Sequence, residues 1–264
     1  MRLRDKVAIV TGAGQTPGDT IGNGRATAIL FAREGARVML IDRRVDSARE
    51  TEAMIAAEGG AATVFEADVT REEDCRAMTD ACLQQFQRIE VLHNNVGIGQ
   101  GDAGATHLDL DAWRKIIDVN LTGMFLCCKH VLPQMREQAS GSIINISSLA
   151  SIAATGMLAY KVSKAGVNAL TQQIAMGNAR YGIRCNAILP GLMNTPMAIE
   201  GFSEARGIPK EQLIAGRDAM VPLRGKQGTA WDVANAAVFL ASDEAQFITG
   251  VLLPVDGGQS IKVG

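Results

Sequence analysis

The sequence predicts an α/β fold: a seven-stranded parallel sheet, doubly wound, with helices on both faces in three layers. Short apolar runs alternate with amphipathic segments along all 264 residues, which is the pattern of repeated β-α-β units. A helix-length segment separates each apolar run from the next, so right-handed crossovers can connect parallel strands. The chain shows neither an internal repeat nor a Pro/Ser-rich linker. We therefore predict a single domain over residues 1–264.

The strands and one irregular segment can be placed along the chain. The seven predicted strands cover residues 7–10, 38–41, 62–65, 91–92, 142–146, 184–188 and 251–253. A helix is predicted from about Gly24 to Glu34. The regular pattern breaks between residues 190 and 222, where prolines stand at positions 196, 209 and 222. Long insertions in compact folds are often binding loops or lids, so we predict a substrate lid at about residues 192–222.

Composition excludes several classes of partner. The net charge is −2 and charges of both signs are interleaved, so we expect neither nucleic-acid nor membrane binding. The five cysteines form no Cys-x-x-Cys pair, and the three histidines have no ligand spacing with them. We therefore predict reduced thiols, a cytoplasmic location and no metal site. No segment is expected to approach the length of a membrane span.

A glycine-rich turn follows the first predicted strand. It contains Gly12 and, after an insertion, Gly22 and Gly24, which open the next helix. Glycines at such a strand-to-helix turn let backbone amides approach a pyrophosphate. The turn alone would also suit a methyltransferase or a Rossmann domain that binds no nucleotide. Asp42 closes the second strand, where a carboxylate can accept hydrogen bonds from a ribose diol, so we predict NAD, with NADP possible because Arg43 and Arg44 follow.

Tyr160 and Lys164 lie one helical turn apart in the sequence, so a phenol and an ammonium share one helix face. A cation at about 4 Å would supply roughly the 4 kcal/mol needed to lower a tyrosine pKa by about three units. The pair is therefore a candidate proton acceptor.

Taken together, the ordered motifs resemble the short-chain dehydrogenase/reductase family in its single-domain Tyr-x-x-x-Lys form, from Asp5 to Gly258. Besides the glycine turn and the Tyr160–Lys164 pair, the motifs are Asp68-Val69, Asn94-Asn95-Val96-Gly97, Val119-Asn120, Ser147-Ser148 and Pro190-Gly191. The resemblance implies a Rossmann fold, a homotetramer and hydride transfer between NAD(P) and a secondary alcohol or ketone. The apolar residues of the lid suggest an apolar or cyclic substrate.

The resemblance also implies residue roles. Tyr160 would act as acid/base, Lys164 would lower its pKa and hold the nicotinamide ribose, and Ser148 would hydrogen-bond the reacting oxygen. Asn120 would hold a water that links Lys164 to solvent. The remaining cofactor-binding residues would be Asp68, Val69, Asn95, Gly97, Pro190, Gly191 and Thr195.

Three departures from the family pattern leave alternatives open. The glycine turn carries about six additional residues, Val96 replaces the usual alanine, and Ser148 lies one position nearer to Tyr160 than is common. We assign Ser148 as the catalytic serine, with Ser147 as the alternative. A 3-oxoacyl thioester reductase, a sugar dehydrogenase and a catalytically silent dinucleotide sensor are alternative functions.

Overall fold

The computed structural model describes residues 1–262, apart from the side chain of Arg206. Its strands are β1 (Val7–Thr11), β2 (Arg37–Asp42), β3 (Ala61–Glu66), β4 (Val91–Asn94), β5 (Gly141–Ile146), β6 (Ile183–Pro190), β7 (Met193–Asn194), β8 (Gly228–Thr229) and β9 (Leu252–Val255). Seven of them form one parallel sheet in the order β3-β2-β1-β4-β5-β6-β9. The predicted fold class is confirmed. The two-residue strands β7 and β8 pair separately, and the sequence pattern did not predict them.

Helices cover both faces of the sheet. They are α1 (Asn23–Arg33), α2 (Val45–Ala57), α3 (Glu72–Phe86), α4 (Leu110–Ile117), α5 (Gly123–Glu137), α6 (Leu158–Asn178), α7 (Pro196–Arg206), α8 (Lys210–Asp218) and α9 (Ala230–Ala241). Because successive strand residues point to opposite faces, Ala8 and Val10 join the core beneath α1 and α9. Val7 and Ile9 join the core beneath α3, α5 and α6.

A π-helical turn, Asp118–Thr122, joins α4 to α5. The resulting helical segment, Leu110–Glu137, has 28 residues and a mean hydropathy of 1.2 over its most apolar window. By length and composition it could cross a membrane, which corrects the expectation that no segment approaches that length. This helix packs on α3 and α6, and 44% of that window is buried inside the protein. Its apolar composition is therefore that of a core helix.

The strand order changes direction between β1 and β4. The chain first builds the sheet outward through β2 and β3 and then returns to add β4 on the other side of β1. A crevice opens at the carboxyl ends of the strands at such a switch point. The loops that follow β1, β2, β4, β5 and β6 carry the residues considered next.

Candidate active site

The glycine turn is braced by the loop that follows β4. Gly12 has a φ of +66°, a conformation that favours glycine. Asn95 donates from Nδ2 to the Gly12 carbonyl at 3.1 Å, and its backbone amide donates to Thr11 Oγ1 at 3.1 Å. A Cβ at Gly24 would overlap the Gly12 carbonyl oxygen. The turn and the start of α1 are thus in direct backbone contact, which leaves the side-chain-free surface that a pyrophosphate needs.

The insertion in this turn is looped out. Gln15 Oε1 accepts a hydrogen bond from the Gly22 amide at 2.9 Å, and Gln15 Nε2 donates to the Thr20 carbonyl at 3.3 Å. These bonds close the loop across its base, so α1 still begins directly beside the glycine turn. The Gly22 amide already has a partner in Gln15, which makes Gly12 and Gly24 the better-placed members of the predicted set.

The looped-out residues reach the predicted lid. Lys210 at the start of α8 lies 3.2 Å from an oxygen of Asp19 and 2.6 Å from an oxygen of Glu200 in α7. A Cβ at Gly18 would lie 2.8 Å from Glu200 and 2.9 Å from Pro196. The insertion therefore contacts both helices of the segment predicted to cover the substrate.

Asp42 is held at the edge of the same turn. Its Oδ2 accepts from the Gly14 amide at 2.9 Å, and its Oδ1 accepts from the Arg44 amide at 2.9 Å. A Cβ at Gly14 would lie 2.9 Å from Oδ2. The carboxylate is thus fixed by backbone donors at the end of β2, with further lone pairs for a ligand hydroxyl.

The remaining predicted cofactor residues lie at neighbouring strand ends. Asp68 follows β3 and accepts from the amide and hydroxyl of Thr70 at 2.9 and 2.7 Å. Val69 is buried and faces Gly123, where an added Cβ would lie 2.9 Å from it. Pro190 ends β6. The Gly191 amide donates to Val255 at 3.0 Å, and Thr195 is buried at the N-terminus of α7.

The two candidate serines point to different partners. The Ser148 hydroxyl is hydrogen-bonded to the Tyr160 phenol and accepts from the Ala150 amide at 3.1 Å. Ser147 is buried and donates to the Lys164 carbonyl at 3.0 Å. Ser148 is thus placed beside the candidate acid/base, whereas Ser147 anchors the helix that carries it.

Lys164 is buried, and its Nζ donates to the Ile146 carbonyl at 2.8 Å. Burial lowers the pKa of Lys164 to about 7. Although part of Tyr160 still contacts solvent, burial raises the pKa of its phenol, and the hydrogen bond to Ser148 opposes this only in part. The Lys164 ammonium lies 5.7 Å from the centroid of the Tyr160 ring. This is farther than the separation of about 4 Å that the sequence analysis assumed. In the cofactor-free protein, desolvation therefore has the largest effect on the pKa of the Tyr160 phenol.

Asn120 lies in the π-helical turn and is fully buried. Its Oδ1 accepts from the Ile98 amide at 2.7 Å, while Nδ2 donates to the Ile98 carbonyl at 2.9 Å and to Ser163 Oγ at 3.0 Å. A Cβ at Gly97 would lie 3.1 Å from Lys164 Nζ and 3.6 Å from Asn120 Oδ1. Gly97 thus leaves a gap in front of both polar groups.

Sequence reasoning missed two side chains around Tyr160. Lys161 donates from Nζ to the carbonyls of Ala150 and Ala153 at 3.2 and 2.6 Å, which holds the segment after Ser148 against α6. Asp102 accepts from the Tyr160 backbone amide at 2.7 Å. Neither residue belongs to a recognisable motif, and their partners are distant loops or backbone atoms.

Residues 19–260 match the protein family described as Enoyl-(Acyl carrier protein) reductase. The chain is 37% identical over 263 residues to 2,5-dichloro-2,5-cyclohexadiene-1,4-diol dehydrogenase LinX of Sphingobium indicum, covering 99% of each protein. It is 38% identical over 265 residues to 3beta-hydroxysteroid dehydrogenase 1 of Eggerthella lenta, covering 99% of this chain and 96% of that protein. The crystal structure of a putative short-chain dehydrogenase/reductase from Burkholderia xenovorans superposes with a TM-score of 0.94 at 39% identity, covering 100% and 99% of the two chains.

The chain belongs to the short-chain dehydrogenase/reductase family. The resemblance seen in its motifs is confirmed, and the protein is an oxidoreductase of this family. A nicotinamide cofactor fits the residues present. Gly12 and Gly24 keep the turn free of side chains, Gly97 keeps a Cβ from lying 3.1 Å from Lys164 Nζ, and Asp42 offers carboxylate oxygens at the end of β2.

Proposed function

We propose that this protein is an NAD-dependent dehydrogenase/reductase that interconverts an apolar or cyclic secondary alcohol and its ketone, with Tyr160 as acid/base. The observation that carries the proposal is the cluster of Tyr160, Ser148 and Lys164 at the carboxyl edge of the sheet, beside the glycine turn. A protein that only sensed dinucleotide would need the turn and Asp42 but not this cluster.

The proposed mechanism gives a role to each residue of the cluster and to Asn120. NAD, when bound, supplies the nicotinamide ring that accepts hydride from the carbinol carbon. Ser148 would hydrogen-bond the reacting oxygen and Tyr160 would take its proton. Lys164 would bind the nicotinamide ribose through the gap at Gly97. Asn120 would hold a water that relays protons between Lys164 and solvent.

NAD is preferred over NADP because of Asp42. Two backbone amides fix its carboxylate at 2.9 Å each, in the position where it would accept from the ribose diol and repel a 2′-phosphate. Asp42→Ser should therefore weaken NAD binding and narrow the difference between NAD and NADP. Calorimetric titration with both dinucleotides measures this, and an unchanged preference would contradict the role of Asp42.

Support for a cyclic substrate comes from the relatives. Two of them, at 37% and 38% identity across nearly the whole chain, are named for a cyclohexadienediol and a hydroxysteroid. The predicted lid presents apolar side chains such as Met197 and Met220, each of which is 50% exposed. Exposed apolar side chains on a predicted lid are suited to an apolar ligand.

The test is NAD reduction with cyclohexanol, a 3β-hydroxysteroid, a linear secondary alcohol, glucose and a 3-hydroxyacyl thioester. Tyr160→Phe should lower kcat by about 10³-fold and leave NAD binding intact. The matched control is Tyr181→Phe, the same substitution at the only other tyrosine of the chain, which should retain activity. Turnover that survives in Tyr160→Phe would refute the mechanism. Reaction with only glucose or the thioester would replace the proposed substrate class.

Assembly and location complete the proposal. Apolar side chains on α5 and α6 are exposed, with Phe125 at 46%, Val162 at 40% and Met176 at 81%, which supports a homotetramer formed through these helices. Light scattering should then give a mass near four times 28.0 kDa, and a monomer would contradict this assembly. A cytoplasmic location is proposed from the five free, buried thiols, because such thiols persist in reducing compartments.

A further inference from the structure

The helix that carries Tyr160 begins without a cap of its own. Its N-cap position is Met157, whose side chain makes no capping hydrogen bond. The first amides of any α-helix have no partner within the helix and need one elsewhere. At α6 these amides belong to Leu158, Ala159 and Tyr160.

The loop after β4 accepts a hydrogen bond from each of these three amides. Ala159 donates to Asp102 Oδ1 at 3.1 Å, Tyr160 donates to Asp102 Oδ2 at 2.7 Å, and Leu158 donates to the Ala103 carbonyl at 3.4 Å. One carboxylate thus does for α6 what a local Ser or Asp does for most helices. Its negative charge also suits the positive end of the helix dipole.

The same loop lies next to the Tyr160 ring. A Cβ at Gly99 would lie 3.5 Å from Tyr160 Cδ2 and 3.6 Å from Met157 Sδ. This loop starts at Asn95, which braces the glycine turn, and includes Ile98, which is bonded to Asn120. Asp102 therefore connects the cofactor groove to the backbone of the catalytic helix.

We propose that Asp102 is a positioning residue: its carboxylate fixes the first turn of α6 and thereby holds the Tyr160 phenol beside Ser148. The inference rests on the proposed function of Tyr160 as acid/base. A small displacement of a catalytic group is enough to lower a rate by about 10²-fold. Loss of the Asp102 carboxylate leaves the Ala159 and Tyr160 amides to water and lets the first turn of α6 fray.

The chain offers a matched control for this test. Asp109 caps α4 with the same chemistry, because its Oδ1 accepts from the Asp111 and Ala112 amides at 2.8 and 3.2 Å. Asp109→Ala removes a helix cap elsewhere in the same protein. A purely structural effect of capping should therefore appear equally in both variants.

The experiment compares Asp102→Ala, Asp102→Asn and Asp109→Ala with the wild-type protein, using cyclohexanol and NAD. Asp102→Ala should lower kcat by about tenfold or more while NAD affinity changes by less than about twofold. Asp102→Asn keeps one acceptor oxygen for two amides, so its kcat should fall between those of wild type and Asp102→Ala. Asp109→Ala should keep the wild-type kcat.

Hydrogen exchange of residues 158–161 gives a second readout that needs no turnover. Exchange should accelerate in Asp102→Ala and stay unchanged in Asp109→Ala. Equal kcat in Asp102→Ala and Asp109→Ala, or a parallel loss of kcat and NAD affinity in Asp102→Ala, would overturn the positioning role. Wild-type protein that binds NAD but oxidises no alcohol would instead refute the proposed function. In that case hydrogen exchange still tests the cap, because unchanged exchange in Asp102→Ala would show that Asp102 does not fix the first turn of α6.

Discussion

The ionisation of Tyr160 in the cofactor-free protein can be measured directly. The chain has only two tyrosines, so the substitution Tyr181→Phe leaves Tyr160 as the single phenol. Burial raises the pKa of Tyr160 above its ordinary value of 10.0. In this background, the ultraviolet absorbance of tyrosinate should therefore not develop until the pH exceeds about 10.

The contribution of Lys164 follows from its distance and its own pKa. At 5.7 Å from the ring centroid, a charged ammonium would stabilise the phenolate by about 3 kcal/mol at an effective dielectric of about 20, or about two pKa units. Burial, however, lowers the pKa of Lys164 to about 7. Even if the phenolate raised this pKa by the same two units, to about 9, the lysine would be mostly neutral where Tyr160 ionises.

The perturbation is therefore Lys164→Met in the Tyr181→Phe background, assayed by ultraviolet titration without cofactor. We expect the pKa of Tyr160 to change by less than about half a unit. A rise of about two units would show that Lys164 is charged beside the phenol and would refute the argument from burial. A phenol in Tyr181→Phe that ionises well below pH 10 would refute it as well.

Three further substitutions test other parts of the structure. Ser148→Ala should lower kcat by about 10²-fold, whereas Ser147→Ala removes a buried hydrogen bond to the Lys164 carbonyl and should mainly reduce stability, by about 1 kcal/mol. Steady-state kinetics and urea unfolding separate the two effects. A larger loss of kcat in Ser147→Ala than in Ser148→Ala would favour Ser147 as the catalytic serine. His93 is fully buried and burial lowers its pKa to about 3, below the ordinary 6.5, so the stability that a neutral His93 contributes is lost as pH falls below 6.5. This residue alone should account for about 2 kcal/mol of the stability that wild type loses between about pH 8 and pH 5. His93→Leu should lose about 2 kcal/mol less stability than wild type over this pH range. Equal losses of stability in the two proteins, measured by urea unfolding, would contradict a neutral His93. Gly24→Ala should abolish NAD binding, measured by calorimetry, because its Cβ would overlap a backbone carbonyl. The control is Gly177→Ala in α6, where no atom lies within 4 Å of the new Cβ. This variant should bind NAD as wild type does and should stabilise the helix by up to about 1 kcal/mol.

The sequence located the sheet and the residues at its edge for a simple reason. Strands buried on both faces are short apolar runs, and the residue after each run lies at the carboxyl end of a parallel strand. The sequence alone therefore predicts that Gly12, Asp42, Asn95 and Ser148 lie at the same edge of the sheet. Strand β4 extends to Asn94, beyond the predicted end at residue 92. The prediction ended too early because His93 and Asn94 are polar, although both are buried inside the protein.

Features that depend on tertiary contacts were not predictable. Gln15 closes the insertion by bonding to Gly22, and Asp102 caps a helix that begins 56 positions later, at Leu158. Neither partner is within the range of a local motif. The pKa of Lys164 was also out of reach, because the spacing to Tyr160 gives a distance but not the desolvation that lowers the pKa of the lysine.

The pKa values of Tyr160 and Lys164 place a condition on catalysis. A phenol with the ordinary pKa of 10.0 is already protonated near neutral pH, and burial raises this pKa further; among residues 1–262 only the Ser148 hydrogen bond acts to lower it. In the proposed mechanism, however, alcohol oxidation requires Tyr160 to accept a proton. Because Lys164 has a pKa of about 7, a modest increase in nearby negative charge or hydrogen bonding would restore its ammonium, whose pull on a phenolate is about two pKa units. Lys164 faces the gap at Gly97 where a ribose would lie, so ligand binding and activation of Tyr160 would depend on the same buried lysine. The proton acceptor would then form only in the loaded enzyme.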